Sequence, residues 1–385
     1  MRILILGGDG YLGWPTAMYL SERGHEVAVA DNMIKRFWEA SIGVEPLNHI
    51  RSLNVRVKRW REVSGKEIKT YIGDIAHNHR FVYKMFEDFR PEAVVHYAEQ
   101  PSAPYSMMNR TTCADTQMNN VLGTLNVMFA IQHTDPDTHL VKLGTMGEYG
   151  TPNIDIEEGW LDVEHNGRKD RVLYPKKPHS FYHLSKVHDS NNLAFACRVW
   201  GQRVTDLNQG VVYGIDTDET RRHEDLQTSF HYDSVFGTVL NRFVTQAVVG
   251  VPLTVYGSGS QTRGYLNIRD TLRCVELAAD NPAERGEFRV FNQFTEQLSI
   301  MQIAERVKGV AAVRGLAVTI DHIENPRVEQ EDHYYNAKHS KLQELGLEPH
   351  LLTDTVIDHM LEVALTHRDR IDPDVIQPAV KWKQR

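Results

Sequence analysis

Short apolar runs alternate with longer amphipathic stretches over about the first 210 residues. The run RILIL (2–6) is continuous rather than alternating, the pattern of a parallel strand covered on both faces, and the segment 11–23 after it repeats its apolar positions with helical spacing. EVAVAD (26–31) reads as the next strand. KTYIGD (69–74), EAVVHY (92–97), HLVKLG (139–144) and RVTDLNQ (203–209) read as four more, with helical patterns between most of them. This alternation predicts an α/β chain on a doubly wound parallel sheet.

Beyond about Gly210 the pattern breaks into charged loops, short strands and scattered helices, and PLTVYGSGSQTRGYLNIRD (252–270) reads as two strand-like runs joined by a turn. A smaller C-terminal α/β substrate lobe is expected. The expected boundaries are 1–209 for the first domain, with 264–298 returning to it, and 210–263 plus 299–385 for the second lobe. No internal repeat or low-complexity tract is visible. The basic stretch 51–69 is expected to be a solvated insertion between strands.

Composition acts here mainly by exclusion. A hydrophobic fraction of 41% with 24% charged residues fits a folded globular chain. The net charge of −8 argues against a general nucleic-acid binder, so a small partner is expected. Cys113, Cys197 and Cys274 are odd in number and lack CxxC spacing, so neither a disulfide framework nor a cysteine zinc site is suggested; Cys197 and Cys274 lie in helical patterns and read as packed thiols. No apolar run is long enough to span a bilayer, and MRILILGGDG does not read as a signal segment, so a soluble, cytoplasmic protein without membrane insertion is expected. RRHEDLQTSFHYD (221–233) holds two histidines and three acids but no HExxH spacing, and is expected to be a solvated loop near the substrate entrance, with no metal.

The first chemical motif is GGDGYLG, in which Gly7, Gly10 and Gly13 stand between a strand and a helix. Glycines there allow a tight turn and close backbone approach to a pyrophosphate at the helix N-terminus. Asp31 closes the second strand at the distance expected of an acid on the adenosine ribose, where its charge would repel a 2′-phosphate. NAD is thereby favoured over NADP, with Lys35 and Arg36 arguing the other way. Asp74, after the third strand, reads either as an adenine contact or as a plain strand-ending acid.

In SFYHLSKVHD (180–189), Tyr182 and Lys186 are four apart and would share a helix face. A tyrosine serves as a base only if its pKa falls from ~10 toward neutrality, which a nearby ammonium and a positive nicotinamide ring both favour. Thr145, after HLVKLG, would give the third hydrogen bond at a substrate hydroxyl.

These stretches, together with SAPYSM (102–107), VKLGTMGEYGTPNIDIEEG (141–159), DLNQGVVYG (206–214), GSQTRGYLNIRDT (259–271), FNQFTEQ (291–297) and HYYNAKH (333–339), resemble the extended short-chain dehydrogenase/reductase family over nearly the whole chain. That group holds the nucleotide-sugar epimerases and dehydratases. Within it the likeness is to the branch that makes a sulfonated sugar nucleotide. The resemblance implies a Rossmann-type domain holding NAD, a lobe binding a UDP-sugar, UDP-glucose and sulfite as substrates, and a homodimer formed by helices of the first domain. It implies transient oxidation at C4, loss of the C5 proton and the 6-hydroxyl, sulfite addition at C6 and return of the hydride.

Carried over residue by residue, the resemblance makes Tyr182 the base at the 4-hydroxyl, Lys186 its tuner and the holder of the nicotinamide ribose, and Thr145 the orienting group, with Glu148 and His183 as acid and base for the C5 and C6 steps. NAD would be held by Gly7, Gly10, Tyr11, Gly13, Asp31, Asn32, Arg36, Asp74, Ile75, Asn119, Tyr182 and Lys186. The UDP-sugar would be held by Thr145, Gln209, Thr254, Tyr256, Arg263 and Arg327.

Two departures stand out. Sugar 4,6-dehydratases carry Asp-Glu directly after the threonine, where this chain has Met146 and Gly147 with Glu148 one step later; Met146 is expected to leave room for sulfite by removing a repelling charge. Pro101 stands where, as the resemblance implies, plant relatives carry Arg. Other readings are a 4-epimerase or 4,6-dehydratase, which needs no sulfite, and a catalytically silent NAD-binding regulator, which the intact Thr145, Tyr182 and Lys186 disfavour.

Overall fold

The computed structural model describes residues 1–327, 334–378, 380 and 382. The early apolar runs become β1 (Arg2–Leu6), β2 (Glu26–Asp31), β3 (Ile68–Ile72), β4 (Ala93–His96) and β5 (His139–Thr145). An exposed antiparallel ribbon follows, β6 (Trp160–His165) with β7 (Arg168–Leu173), and then β8 (Arg203–Gln209). The remaining strands are β9 (Val211–Tyr213), β10 (Leu253–Tyr256), β11 (Thr262–Asn267), β12 (Phe288–Gln293), β13 (Glu296–Ser299) and β14 (Ile320–Ile323).

Seven strands form one sheet in the order β12-β8-β5-β4-β1-β2-β3, with every neighbouring pair parallel. Helices cover both faces, which is why β1 shows no alternation: Ile3 and Ile5 pack with Trp14 and Met18 on one side, Leu4 and Leu6 with Val82 and Phe86 on the other. The strand order reverses between β1 and β4. In a doubly wound sheet the crevice beyond the carboxyl ends at that point receives the ligand.

The stretch 51–69 is not the expected solvated insertion. It contains the helix Leu53–Ser64, the connection from β2 to β3, and Leu53, Arg56 and Trp60 share its buried face. The polar composition hid this face, because one of its members is an arginine that ion-pairs with Asp9. The runs within 252–270 are strands but do not pair with each other: β10 pairs with β14, while β11 lies between β9 and β13.

The helices Val239–Val249 and Ile300–Val313 pack on β10, and both pack with each other and with the helix Asp354–Thr366, around Phe243, Val255, Val307 and Leu361, giving this region its own core. The helix Ile268–Asp280 instead packs against the helix Gly13–Glu22 and β5, and β12 joins the large sheet. Cys197 and Cys274 are buried thiols. Among the described residues no helix is long and apolar enough to cross a membrane.

Candidate active site

A cavity of about 770 Å³ runs from the β1–β4 switch point to the second core. On its first wall the turn after β1 holds Gly7 at a φ of +89°, and a Cβ there would stand 2.8 Å from the Tyr97 backbone. A Cβ on Gly13 would lie 2.0 Å from the Gly7 carbonyl oxygen. Only glycines allow this close turn, which leaves a backbone cradle of the width a pyrophosphate needs.

Gly10, Tyr11, Asp31, Asn32, Arg36, Ile75 and Asn119 also line the cavity. Asp31 Oδ2 accepts the Asp9 N–H at 2.8 Å and Oδ1 the Met33 N–H at 2.7 Å, fixing its carboxylate at the end of β2. Arg36 is clasped by Asp9 through Nε (2.7 Å) and Nη2 (3.0 Å), and Lys35 pairs with Glu39 beside His231. The two cations that spoke for a 2′-phosphate are thus engaged by protein carboxylates, and the cradle with its acid fits NAD. Asp74 is not in the cavity wall. Its carboxylate accepts the Ala76 and His77 N–H groups and the Asn32 amide, so it steadies Asn32 from behind.

Tyr182, His183 and Lys186 reach the cavity from the first turns of the helix Phe181–Trp200, with Thr145 facing them from the end of β5. Ser180 caps this helix by accepting the His183 N–H at 3.2 Å, and the Tyr182 N–H donates to Ser106 Oγ at 3.0 Å. Burial pushes the Tyr182 phenol up to about 12; the Lys142 ammonium and a hydrogen bond with Thr145 pull against it. Lys186, brought down to about 8 by burial, donates to the Leu143 carbonyl at 2.6 Å and ion-pairs with Glu99. Lys186 Nζ lies 5.7 Å from the centroid of the Tyr182 ring.

The His183 imidazole occupies the space beside Gly147: a Cβ on that glycine would lie 2.3 Å from Nε2. Burial, then the charges of Arg327, Arg263 and His179, hold the ring down to about 3, so it is neutral at physiological pH. Nδ1 lies 3.0 Å from Ser180 Oγ.

Four expected residues do not reach the cavity. Glu148 is fully buried behind the turn: Oε1 accepts the Thr145 N–H at 3.1 Å, Oε2 accepts from Ser190 at 3.0 Å, and Lys176 pairs with it. It serves as a cap because the turn at 145–148 leaves its own N–H groups needing acceptors. Met146 points the other way, into an apolar cluster with Tyr149, Ile156, Tyr174 and Phe294, so the opening that matters is the one at Gly147. Thr254, one pleat behind Tyr256, is closed off by Gln246, which bonds both its hydroxyl and its N–H. Asp74 is the fourth.

Gln209, Tyr256, Arg263 and Arg327 line the cavity, as does Pro101. Sequence reasoning missed Arg242, which is 7% exposed, donates to the Tyr256 hydroxyl and lies over its ring. Its signal was an arginine inside an otherwise apolar helix. It also missed Glu99 and Lys142, charges within apolar strand contexts. The 221–233 segment is not a solvated loop: Leu226, Thr228, Phe230 and Asp233 are buried, and His231 lines the cavity. Among the described residues no cluster of metal-binding side chains is present.

The NAD dependent epimerase/dehydratase family matches residues 3–292. The chain is 56% identical over 383 residues to the chloroplastic UDP-sulfoquinovose synthase of Spinacia oleracea, covering all of this chain and 79% of the relative. It is 42% identical over 387 residues to the UDP-sulfoquinovose synthase of Sulfolobus acidocaldarius, covering all of this chain and 98% of the relative. Among solved structures, UDP-glucose 4-epimerase of Thermotoga maritima shares the fold, with a TM-score of 0.68 at 21% identity over 94% of this chain and 98% of that one. The chain belongs to the NAD dependent epimerase/dehydratase family, in its UDP-sulfoquinovose synthase branch.

Proposed function

We propose that the protein converts UDP-glucose and sulfite into UDP-sulfoquinovose and water. Gly7, Gly10, Gly13 and Asp31 would hold NAD, which would supply hydride acceptance from C4 of the sugar and its return. Thr145 orients the 4-hydroxyl and Tyr182 takes its proton; the resulting ketone acidifies the C5 hydrogen. The neutral His183 ring takes that hydrogen as a proton. The imidazolium so formed, strongly acidic in its buried site, delivers the proton to the departing 6-hydroxyl, which leaves as water. Bisulfite then adds through sulfur at C6, and its proton returns to C5 by way of His183. Finally Tyr182 gives back the hydroxyl proton at C4.

The diphosphate would lie against Arg263 and Arg327, with Arg242 as a further cation and Tyr256 beside the uracil; Gln209 would reach the sugar. The diphosphate charge would offset two of the cations that hold His183 low, so substrate binding makes the ring a better base. The single observation that carries this reading is His183 in the gap at Gly147, beside Tyr182 and Thr145. Simple 4-epimerisation would leave it no task.

Mass analysis of the nucleotide sugars after incubation with UDP-glucose, with and without sulfite, tests the reading. A sulfonated UDP-hexose formed only with sulfite, and absent in Tyr182→Phe, is expected; UDP-galactose or a keto-sugar as the end product in both cases would overturn it. We also infer a homodimer. Met118, Leu122 and Phe129 share one exposed helical face, and Phe181, Phe195 and Val199 share another on the helix packed beside it. Two copies pairing these faces would remove both from water.

A further inference from the structure

Between β2 and β3 the chain makes an excursion that the sheet does not require. The helix Leu53–Ser64 already supplies the crossover that two parallel strands need, yet residues 34–52 precede it with a second helix, Ile34–Ser41, and a long connection. That connection crosses to the second core, where Leu47 is fully buried beside Phe230, Tyr232 and Ile371. Val44, Pro46, Asn48 and Ile50 line the same cavity as Gly10 and Asp31. The excursion is thus a wall of the cofactor cavity that grows from the first domain and is fastened to the second lobe.

The fastening is made by protein groups alone. The Leu47 N–H donates to the Phe230 carbonyl at 2.8 Å, and the Asn48 side chain, 5% exposed, donates to the Thr228 carbonyl at 2.7 Å and accepts the Phe230 N–H at 3.0 Å. Arg370, just beyond the helix Asp354–Thr366, closes the other side. Its Nε donates to the Leu47 carbonyl at 2.7 Å and Nη2 to the Pro46 carbonyl at 3.4 Å, while Nη1 lies 2.8 Å from His49 Nε2. Tyr232 holds Arg370 in turn, donating to its carbonyl at 3.1 Å. At the near end Arg36, clasped by Asp9 of the glycine turn, donates to the Ile50 and Arg51 carbonyls at 3.3 and 2.8 Å, and Thr228 Oγ1 donates to the Tyr11 carbonyl at 2.6 Å. Residues 44–51, residues 228–230 and the glycine turn therefore form a closed ring of ties.

We propose that residues 44–50 are a roof that keeps NAD resident through successive turnovers, and that Arg370, from the far end of the chain, is its lock. This rests on the reaction proposed above, in which the hydride returns to C4 and NAD regains its starting state, so that its departure serves no step. Because no tie passes through a ligand, opening the roof costs the same with the cofactor bound or free. A weaker lock then speeds entry and exit alike and leaves the Kd where it was.

The test compares the NAD-loaded parent with Arg370→Met, Arg370→Lys and Asn48→Ala. Release of labelled NAD is followed after a chase of unlabelled NAD, without UDP-glucose, and binding is followed on protein stripped of NAD. In Arg370→Met both rates should rise by about tenfold or more, the worth of one hydrogen bond from a charged donor, with Kd within about threefold of the parent. Arg370→Lys, which keeps the charge and one donor group, should fall between. Dilution of Arg370→Met should drain its sulfonating activity, and added NAD should restore it.

Release within about twofold of the parent in both Arg370→Met and Asn48→Ala would overturn the proposal. So would faster release at an unchanged binding rate, the mark of a lost cofactor contact. Should Asn48→Ala fail to fold, Arg370→Met decides alone, since its side chain is 25% exposed. Failure of the reaction itself shows separately, as absence of sulfonated product from the parent, and leaves the release rates readable.

Discussion

Gly147 and His183 compete for one volume: the imidazole Nε2 lies 2.3 Å from where a side chain on residue 147 would begin. The chain thereby replaces a group on the turn by a group on the helix. Gly147→Ala should push the ring out of place, leaving C4 oxidation measurable as reduced nicotinamide on adding UDP-glucose while sulfonated product falls by 10²-fold or more, the usual worth of an acid–base group. Product formed at the parent rate would show that the ring has no such task.

The pH behaviour of His183 follows from its surroundings. Burial, then Arg327 and Arg263, keep it near 3, so in the free enzyme it does not titrate between pH 5 and 9. His183→Gln should lower kcat for sulfonation and leave the acid limb of C4 oxidation where it was. A limb that moved with the substitution would assign that titration to the histidine.

The Glu148–Lys176 pair is buried on both sides, at 0% and 3% exposure. Lys176→Met leaves a carboxylate under the Thr145 turn without its cation, and should cost about 3–5 kcal/mol by denaturant titration. Joint replacement with Glu148→Gln should recover much of that loss. A single variant as stable as the parent would mean that Ser190 and the Thr145 N–H suffice to hold the charge.

Glu158 accepts the Asn292 N–H at 3.1 Å, and burial lifts its carboxyl from 4.5 to about 7. The folded chain therefore holds a proton there that the unfolded chain releases at lower pH, so this group's contribution to stability is full below about 4.5 and falls as pH rises through 7. Thermal melting of Glu158→Gln compared with the parent at pH 5 and pH 8 should show the variant gaining relative stability at the higher pH. A constant difference would exclude the linkage.

Much of this was legible in the residues because apolar runs and glycines act locally. The strands RILIL, EVAVAD and RVTDLNQ appear at their expected limits, and the glycines Gly7, Gly10 and Gly13 stand in the turn between the first strand and its helix. Failures came where charge was buried by a partner far along the chain. Arg56 read as solvated because Asp9, its partner, is 47 residues away. Glu148 read as a site acid because adjacency to Thr145 says nothing of Lys176 behind it. Met146 and Gly147 were weighed in the wrong order, since the space that matters is occupied from another helix.

The polypeptide crosses from the large sheet into the small one twice, side by side: β8 passes into β9 after one residue, and β12 into β13 after two, with Gln209 and Gln293 in register at the crossing and joined at 3.1 Å. Paired straps of this kind permit flexing along the line through both and resist swivelling, which would shear the two glutamines apart. A change in the width of the cavity mouth would then turn on Gln209–Gln293 as on the spine of a book. Since Gln209 also faces the cavity, the side chain placed to feel the sugar sits on the crease.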